Sequence, residues 1–568
     1  MKFTRRTTLS SVTAEAAKIS PTGFSPRKKV RAAQREKFYE EIAVMNEQVA
    51  ANNRHETHAA VENGRRNHES HELRLRRLGI DTRQEAVIYM RDDCHVCRSE
   101  GFEAESRILV KNGTDSVVAT LNVVTNGLLA PGEAALSEAA WKLLDAEEGD
   151  FIELSHPPQL GSLEKLRAKI YGRRLSRCDY REIVSDIVAG RYSDIDLSAF
   201  VTACAAEGRM EQDEIISLTE AMIESGERLG WGRSLVMDKH CVGGLPGNRT
   251  TLIIVPIVAA FGLTMPKTSS RAITSPAGTA DAMETLAPVN LDLKEIRRVV
   301  EREGACIVWG GAVNLSPADD ALTRFARALD IHGEGQMIAS VLSKKVAAGS
   351  THVLIDIPVG ETAKVCGFEA ARKLSRQLKT AGGAFGLNVQ TIISDGSQPV
   401  GRGIGPALEA RDVLAVLQNE PDAPEDLRER ALILAANILE MSGAAPAGRG
   451  GKIVKAILDD GRAWKKFLNI CEAQGGFRTP GRAGFTQEIT AKNAGIVTSI
   501  DNRKLARVAK LAGAPRAHSA GLELHAPVGC RVEAGQPLYT VHAESGGELD
   551  YALLYVENND GIINVEEV

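Results

Sequence analysis

Residues 238–251 read Asp-Lys-His-Cys-Val-Gly-Gly-Leu-Pro-Gly-Asn-Arg-Thr-Thr and run straight into an apolar stretch, residues 252–263. That junction constrains the fold more than any other part of the chain. The apolar stretch is long enough for a buried helix. Gly243, Gly244 and Gly247 let the backbone before it turn tightly and bring N–H groups close to a ligand. Lys239 adds a positive charge, and Thr250 and Thr251 add hydroxyl donors. A helix that opens on such a loop also turns its first N–H groups toward the bound group. The stretch is therefore predicted to cradle an anion. The competing reading is a glycine-rich surface turn before a core helix; a Lys, a His and two hydroxyls within one loop weigh against it.

A second stretch, residues 267–281, reads Lys-Thr-Ser-Ser-Arg-Ala-Ile-Thr-Ser-Pro-Ala-Gly-Thr-Ala-Asp. Its hydroxyls and guanidinium suit phosphate and sugar oxygens. Together the two stretches resemble the thymidine and pyrimidine-nucleoside phosphorylase family, in particular the branch that includes archaeal AMP phosphorylases. In that family a Lys-His-Ser-x-Gly-Gly loop and a Ser-Arg-x-x-x-[Thr/Ser]-x-x-Gly-Thr segment build the phosphate and sugar site. The resemblance spans about residues 80–568. It implies that Lys239, Gly243, Gly244, Thr251, Ser269, Ser270, Arg271, Thr274, Ser275 and Thr279 bind phosphate. It implies further that Arg327, Ser340 and Lys344, carried by a helical insert, hold the base, and that Lys364 matches a binding lysine of the nucleotide-using branch. Phosphate would be a co-substrate, with no cofactor and no metal, and the enzyme would be a homodimer or larger.

With 568 residues the chain is too long for one ordinary core, and 43% apolar with 25% charged residues is the balance of a globular protein. A net charge of −5 makes no electrostatic case for nucleic acid. The stretch 252–263 is too short to cross a bilayer, so no membrane role is expected. Nine scattered cysteines do not form a disulfide framework and fit a reducing cytoplasm.

Residues 1–80 are expected to be a basic, disordered or helical extension. Its Ser-rich, acid-poor start has the composition of a transit peptide but lacks the apolar segment of a secretory signal. A β-rich domain follows over residues 81–160, with strands near 85–90, 106–110 and 116–124 and a turn at Asn112-Gly113. Cys94 and Cys97 lie between strands without a second ligand pair, and are read as structural. Residues 161–235 show helical spacing, with stops at Gly190 and Gly208. An insert at 317–348 is expected to complete that helical domain. Alternating strands and helices over 236–475 predict an α/β phosphate-binding domain, and 484–568 a C-terminal α/β domain. Residues 394–405 carry only a loose GxGxxG spacing and read as a packing or cleft-closing loop, not a dinucleotide site. The fold class is thus α/β multidomain.

The reaction implied is phosphorolysis of an N-glycosidic bond, through an oxocarbenium-like transition state that needs a positioned dianion and charge relief on the departing base. His240, whose ordinary pKa is near neutral, is the candidate general acid, with Lys239 beside it. Hinges near Leu235 and at both ends of the insert would let the two half-sites close. Two positions depart from the family pattern. Cys241 stands where Ser is usual, and a thiol is a weaker donor. His332 stands where the AMP branch carries its proton-donating Asp, leaving Asp330 or His332 itself as substitutes. This favours a pyrimidine nucleoside over AMP. An anthranilate-type phosphoribosyltransferase, which would need a magnesium site, and a catalytically inactive nucleotide sensor are the alternatives.

Overall fold

The computed structural model describes residues 72–567, apart from 207, 273, 274, 314 and 332. The N-terminal extension read from the sequence therefore lies almost wholly outside the described residues. Strands Glu72–Leu75, Val87–Arg91, Arg107–Asn112, Asp115–Val124, Glu133–Leu136 and Phe151–Ser155 close into a barrel. The β-rich domain thus begins by Glu72, earlier than residue 81. Arg107–Asn112 and Asp115–Val124 pair antiparallel across the turn at Gly113, and Ile108 and Val110 point inward at the alternation a strand imposes. Closure depends on remote pairs, since Glu72–Leu75 bonds to both Glu133–Leu136 and Phe151–Ser155. Cys94 and Cys97 flank the start of helix His95–Glu100 and are buried in the barrel core.

Helices Ser162–Ile170, Arg177–Val188, Asp194–Ala205 and Gln212–Glu224 form the next layer. Ser176 and Ser193 start two of them with reciprocal capping boxes to Asp179 and Asp196. Helices Pro317–Ala328 and Glu334–Ala347, distant in sequence, pack onto the same core. There Leu322, Phe325 and Ala339 meet Tyr180, Phe200 and Leu218. Arg324, also in this segment, pairs outward with Asp194 at 3.0 Å.

The α/β domain holds parallel strands Asn388–Asp395, His352–Val359 and Met237–Cys241, in that order. Met265–Ser269 pairs in parallel with Ala305–Trp309, and the bridge Val236↔Thr264 links the two groups. Two of these strands were read from the sequence as loop. Lys239 and His240 lie on Met237–Cys241, and Lys267, Thr268 and Ser269 on Met265–Ser269. Polar side chains mask both strands because their ends face the site and not the core. Helix Thr250–Phe261 follows the glycine loop and is buried almost all round, which is why its apolar pattern has no polar face.

The C-terminal domain contains strands Phe485–Thr490, Gly495–Ile500, Gly521–Leu524, Arg531–Val532, Pro537–Ala543 and Ile563–Glu566, with helices Asn502–Leu511 and Gly546–Glu557. Gly403–Ile404, at the end of the 394–405 loop, adds an edge to its sheet by pairing with Gly521–Leu524. The loop is therefore a packing device. Val400 approaches Gly247 so closely that a Cβ there would lie 2.1 Å from the Val400 carbonyl oxygen, and φ at Gly247 is +74°. Only glycine fits that position. No helix among the described residues is long and apolar enough to cross a membrane.

Candidate active site

A cavity of about 310 Å³ opens between the α/β domain and the helical layer. It is lined by Lys239, His240, Cys241, Gly243, Gly244, Thr251, Ser269, Ser270, Arg271, Ser275 and Thr279 from one side. Arg327, Ser340 and Lys344 line it from the insert, and Lys364 from the loop after His352–Val359. Residues separated by more than a hundred positions thus share one space. Thr274 and His332 lie outside the described residues. Asp330 does not line the cavity; it sits in a left-handed turn, φ 51°, after helix Pro317–Ala328.

The side of the cavity read from the sequence as an anion cradle is built from strand ends and helix starts. Lys239 is almost fully buried, and its Nζ donates to Thr250 Oγ1 at 2.8 Å. Ser269 is buried, and its Oγ has no hydrogen-bond partner among the described residues. An orphan buried hydroxyl facing a cavity is a donor in want of an acceptor. Thr251 opens the first turn of helix Thr250–Phe261, where N–H groups and the helix dipole favour negative charge. Arg249, which the sequence reading passed over, is buried. It pairs with buried Glu409 and donates to the Ala277 carbonyl at 2.7 Å and to Thr279 Oγ1 at 3.2 Å. It ties the first glycine loop to the second. Arg271 lines the cavity, but its guanidinium is held by Glu284 at 2.5 and 2.9 Å and by Asp281 at 3.3 Å, over the Trp309 ring. Asp281 in turn accepts the Ala272 and Gly278 N–H groups, both at 2.7 Å. Arg271 therefore braces the hydroxyl-rich loop, and its charge is already largely committed.

Beneath these groups lies a buried ionic cluster that the sequence reading missed. The Asp238 carboxylate meets Lys345 at 2.8 Å and Lys267 at 3.2 Å, and accepts from Ser350 Oγ at 3.3 Å. Burial alone would raise the Asp238 carboxyl, but the two lysines outweigh it and hold it below the ordinary range. One carboxylate cannot satisfy two ammonium groups, and burial pushes Lys345 down to about 7. The signal was present in sequence, as an acid directly before Lys239-His240 and a second lysine after Lys344. His240 sits among Lys345, Lys267, Lys239 and Lys344. Burial first, and those charges second, push its imidazole well below its ordinary value. These surroundings disfavour the positively charged imidazolium. Burial raises the Cys241 thiol to about 11, and Asn248 Nδ2 donates to its sulfur at 3.4 Å. It stays a neutral, weak donor.

On the opposite side, Lys344 pairs with Asp319, which is buried. Burial works against the lysine's charge, but Asp319 prevails and its pKa is raised. Lys344 is thus a fixed cation.

The chain matches the family of the glycosyl transferase helical bundle domain over residues 163–226, and the glycosyl transferase a/b domain over residues 233–464. A pyrimidine nucleoside phosphorylase C-terminal domain is matched over residues 496–562. A protein of Polaromonas sp. (strain JS666 / ATCC BAA-500) named "Putative thymidine phosphorylase" is 61% identical over 497 residues, covering 88% of this chain and 97% of that protein. The chain belongs to the thymidine and pyrimidine-nucleoside phosphorylase family. One of Legionella pneumophila (strain Paris), with the same name, is 60% identical over 498 residues, covering 88% and 96%. Among solved structures, anthranilate phosphoribosyltransferase from Thermus thermophilus overlaps with a TM-score of 0.46 at 17% identity, covering 54% of this chain and 98% of that one. This family member is an enzyme, a pentosyltransferase, and its α/β multidomain class is that of the matched domains.

The lysine cluster carries a pH prediction for this pentosyltransferase. Lys345 has a depressed pKa, so it is charged below about 7 and loses its proton above. A dianion beside it reverses that depression, so phosphate binding near pH 8 should take up protons, and affinity should fall as pH rises past about 7. Calorimetric titration of phosphate in two buffers of different ionisation enthalpy measures the uptake. Lys345→Met should abolish most of it.

Proposed function

We propose that this enzyme catalyses phosphorolysis of a pyrimidine nucleoside or deoxynucleoside, giving free base and (deoxy)ribose 1-phosphate. The observation that carries the proposal is the single cavity, in which an anion cradle faces Ser340, Lys344 and Arg327. Lys239, Thr251, Ser269, Ser270 and Thr279 would hold phosphate below the sugar, close to the reacting carbon. The C–N bond breaks as phosphate oxygen bonds to C1. Arg327 would take up the negative charge that develops on the base, beside Lys344, which Asp319 holds in place. His240 would act first as a neutral hydrogen-bonding group, gaining basicity only once a dianion offsets the surrounding lysines. The relatives named for thymidine phosphorylase support this choice of substrate.

A second reading has one observation in its favour. Lys364 lies in the cavity beside Gly244, where a Cβ would touch its Cβ at 3.7 Å, and it has no ion-pair partner among the described residues. Burial lowers its pKa. A desolvated lysine at that point suits a 5′-phosphate, and so a nucleoside 5′-monophosphate as substrate yielding ribose 1,5-bisphosphate. Release of free base from thymidine, uridine, cytidine, adenosine, AMP and CMP, with and without phosphate, tests both readings. Phosphate-dependent release from thymidine or uridine with AMP inert is the expected result. Release from AMP or CMP alone would put the second reading in its place, and no release from any substrate would remove both.

A further inference from the structure

Helix Glu334–Ala347 presents Gln336, Ser340 and Lys344 at successive intervals of four, and all three line the cavity. Four residues is just over one helical turn, so the three side chains form one stripe. The ends of that stripe differ in a way that bears on recognition. Lys344 is committed to Asp319. Gln336 is not committed: its amide Nε2 is buried and finds no hydrogen-bond partner among the described residues. Its Oε1 end lies by the start of the helix, where a Cβ on Gly333 would be 3.3 Å away. Leu322, Met337 and Val341 are among the other residues that line the cavity. A buried amide end without a partner is costly. Here it lies on the same stripe as the groups proposed to meet the base.

We propose that Gln336 reads the hydrogen-bonding edge of the base and is a specificity-determining residue of this site. The inference rests on the phosphorolysis reading above. A carboxamide offers a donor and an acceptor side by side, and can turn over to exchange them. That matches a heterocycle edge with adjacent donor and acceptor, such as the imide of uracil and thymine or the amino-imine edge of cytosine and adenine. Burial of the amide nitrogen sharpens the penalty for a base whose edge leaves it unpaired. Ser340, one turn on, supplies a further hydroxyl, and Lys344 the fixed charge.

The test uses the full chain as wild type, Gln336→Leu and Gln336→Glu. kcat/KM is measured for each nucleoside and nucleotide of the panel, together with KM for phosphate. Binding of free uracil, thymine, cytosine and adenine is measured by calorimetry in the presence of phosphate. Gln336→Leu should lower kcat/KM for the preferred substrate roughly 10- to 100-fold, the range set by loss of one paired amide–base contact, with KM for phosphate within about twofold. Gln336→Glu, near-isosteric and an acceptor only, should shift preference toward amino-bearing bases and serves as the second variant should the leucine form fail to fold. The proposal is overturned if both variants keep the wild-type ranking of bases, or if the phosphate KM moves and the ranking does not. It is also overturned if wild type binds no free base. Wild type that binds a base through Gln336 yet releases none from any substrate would remove the phosphorolysis reading and leave the recognition role standing.

Discussion

Lys239→Met is expected to lower kcat/KM for phosphate by roughly two to three orders of magnitude, the scale on which a preorganised charge or donor at a reacting anion acts. Lys239 is 1% exposed, and among the described residues its ammonium hydrogen-bonds to a neutral hydroxyl, Thr250 Oγ1. Among the described residues no carboxylate forms an ion pair with it, and burial lowers its pKa. A folded chain gains nothing from a buried charge left in this state, because its desolvation is uncompensated. The site gains a cation already stripped of water and aimed at a cavity edged by Thr251 and Ser269. Methionine has similar length and carries no charge, so thermal melting should stay where it is or rise while the rate falls. Initial rates against phosphate concentration, beside melting curves, separate the two effects. If KM and kcat both stay within about threefold of wild type, Lys239 is not the phosphate cation.

Asp238→Asn should act on stability instead. The substitution leaves Lys267 and Lys345 buried with no counter-charge, and breaking a buried ion pair by removing one partner typically costs about 3–5 kcal/mol. The chain has several cores, so one global unfolding free energy is not defined for it. Hydrogen exchange in strands Met237–Cys241 and His352–Val359 is the direct measurement, and protection there should fall while the barrel is unaffected. The sign with pH follows from the depressed carboxyl of Asp238. Its contribution is complete above the ordinary Asp pKa of about 4 and is lost as pH falls through the lower folded value. The gap between variant and wild type should therefore be full between the ordinary Asp pKa and about 7, close in acid, and narrow above about 7 as Lys345 loses its proton. Adding Lys345→Met to Asp238→Asn should restore part of the protection, because it removes one of the stranded charges. Unchanged exchange in the single variant would mean that the cluster is not held by this carboxylate.

Much of the site was legible before any coordinate was known. Gly243, Gly244, Thr251, Ser270 and Thr279 were named from two stretches, and those stretches meet at one cavity. Helix Thr250–Phe261 followed from an apolar run after a glycine turn, and the α/β domain from alternating strand and helix patterns over residues 236–475. These are local signals, set by residues within a turn or two of one another. Other local signals were modified by segments distant in sequence. Strands Met237–Cys241 and Met265–Ser269 carry Lys, His, Thr and Ser because their ends face the cavity, and polar character was taken for loop. Arg271 was assigned to phosphate for its charge, but Glu284 and Asp281 hold it. His240 was given the acid's role for the usual pKa of its kind. Burial, with lysines arriving from two strands and a helix, cancels that value.

By itself, the sequence determined the buried helix behind the glycine loop, the α/β class and the family, because each rests on short-range pattern or on motif spacing. Only the tertiary structure decided which charges are spent and which remain. Asp238 is shared between Lys267 and Lys345, Lys344 is taken by Asp319, Arg249 is taken by Glu409, and the Gln336 amide nitrogen is left without a partner among the described residues. Each of those outcomes depends on segments far apart in the chain being packed within about 3 Å, in surroundings dry enough for a single unpaired charge or amide to count.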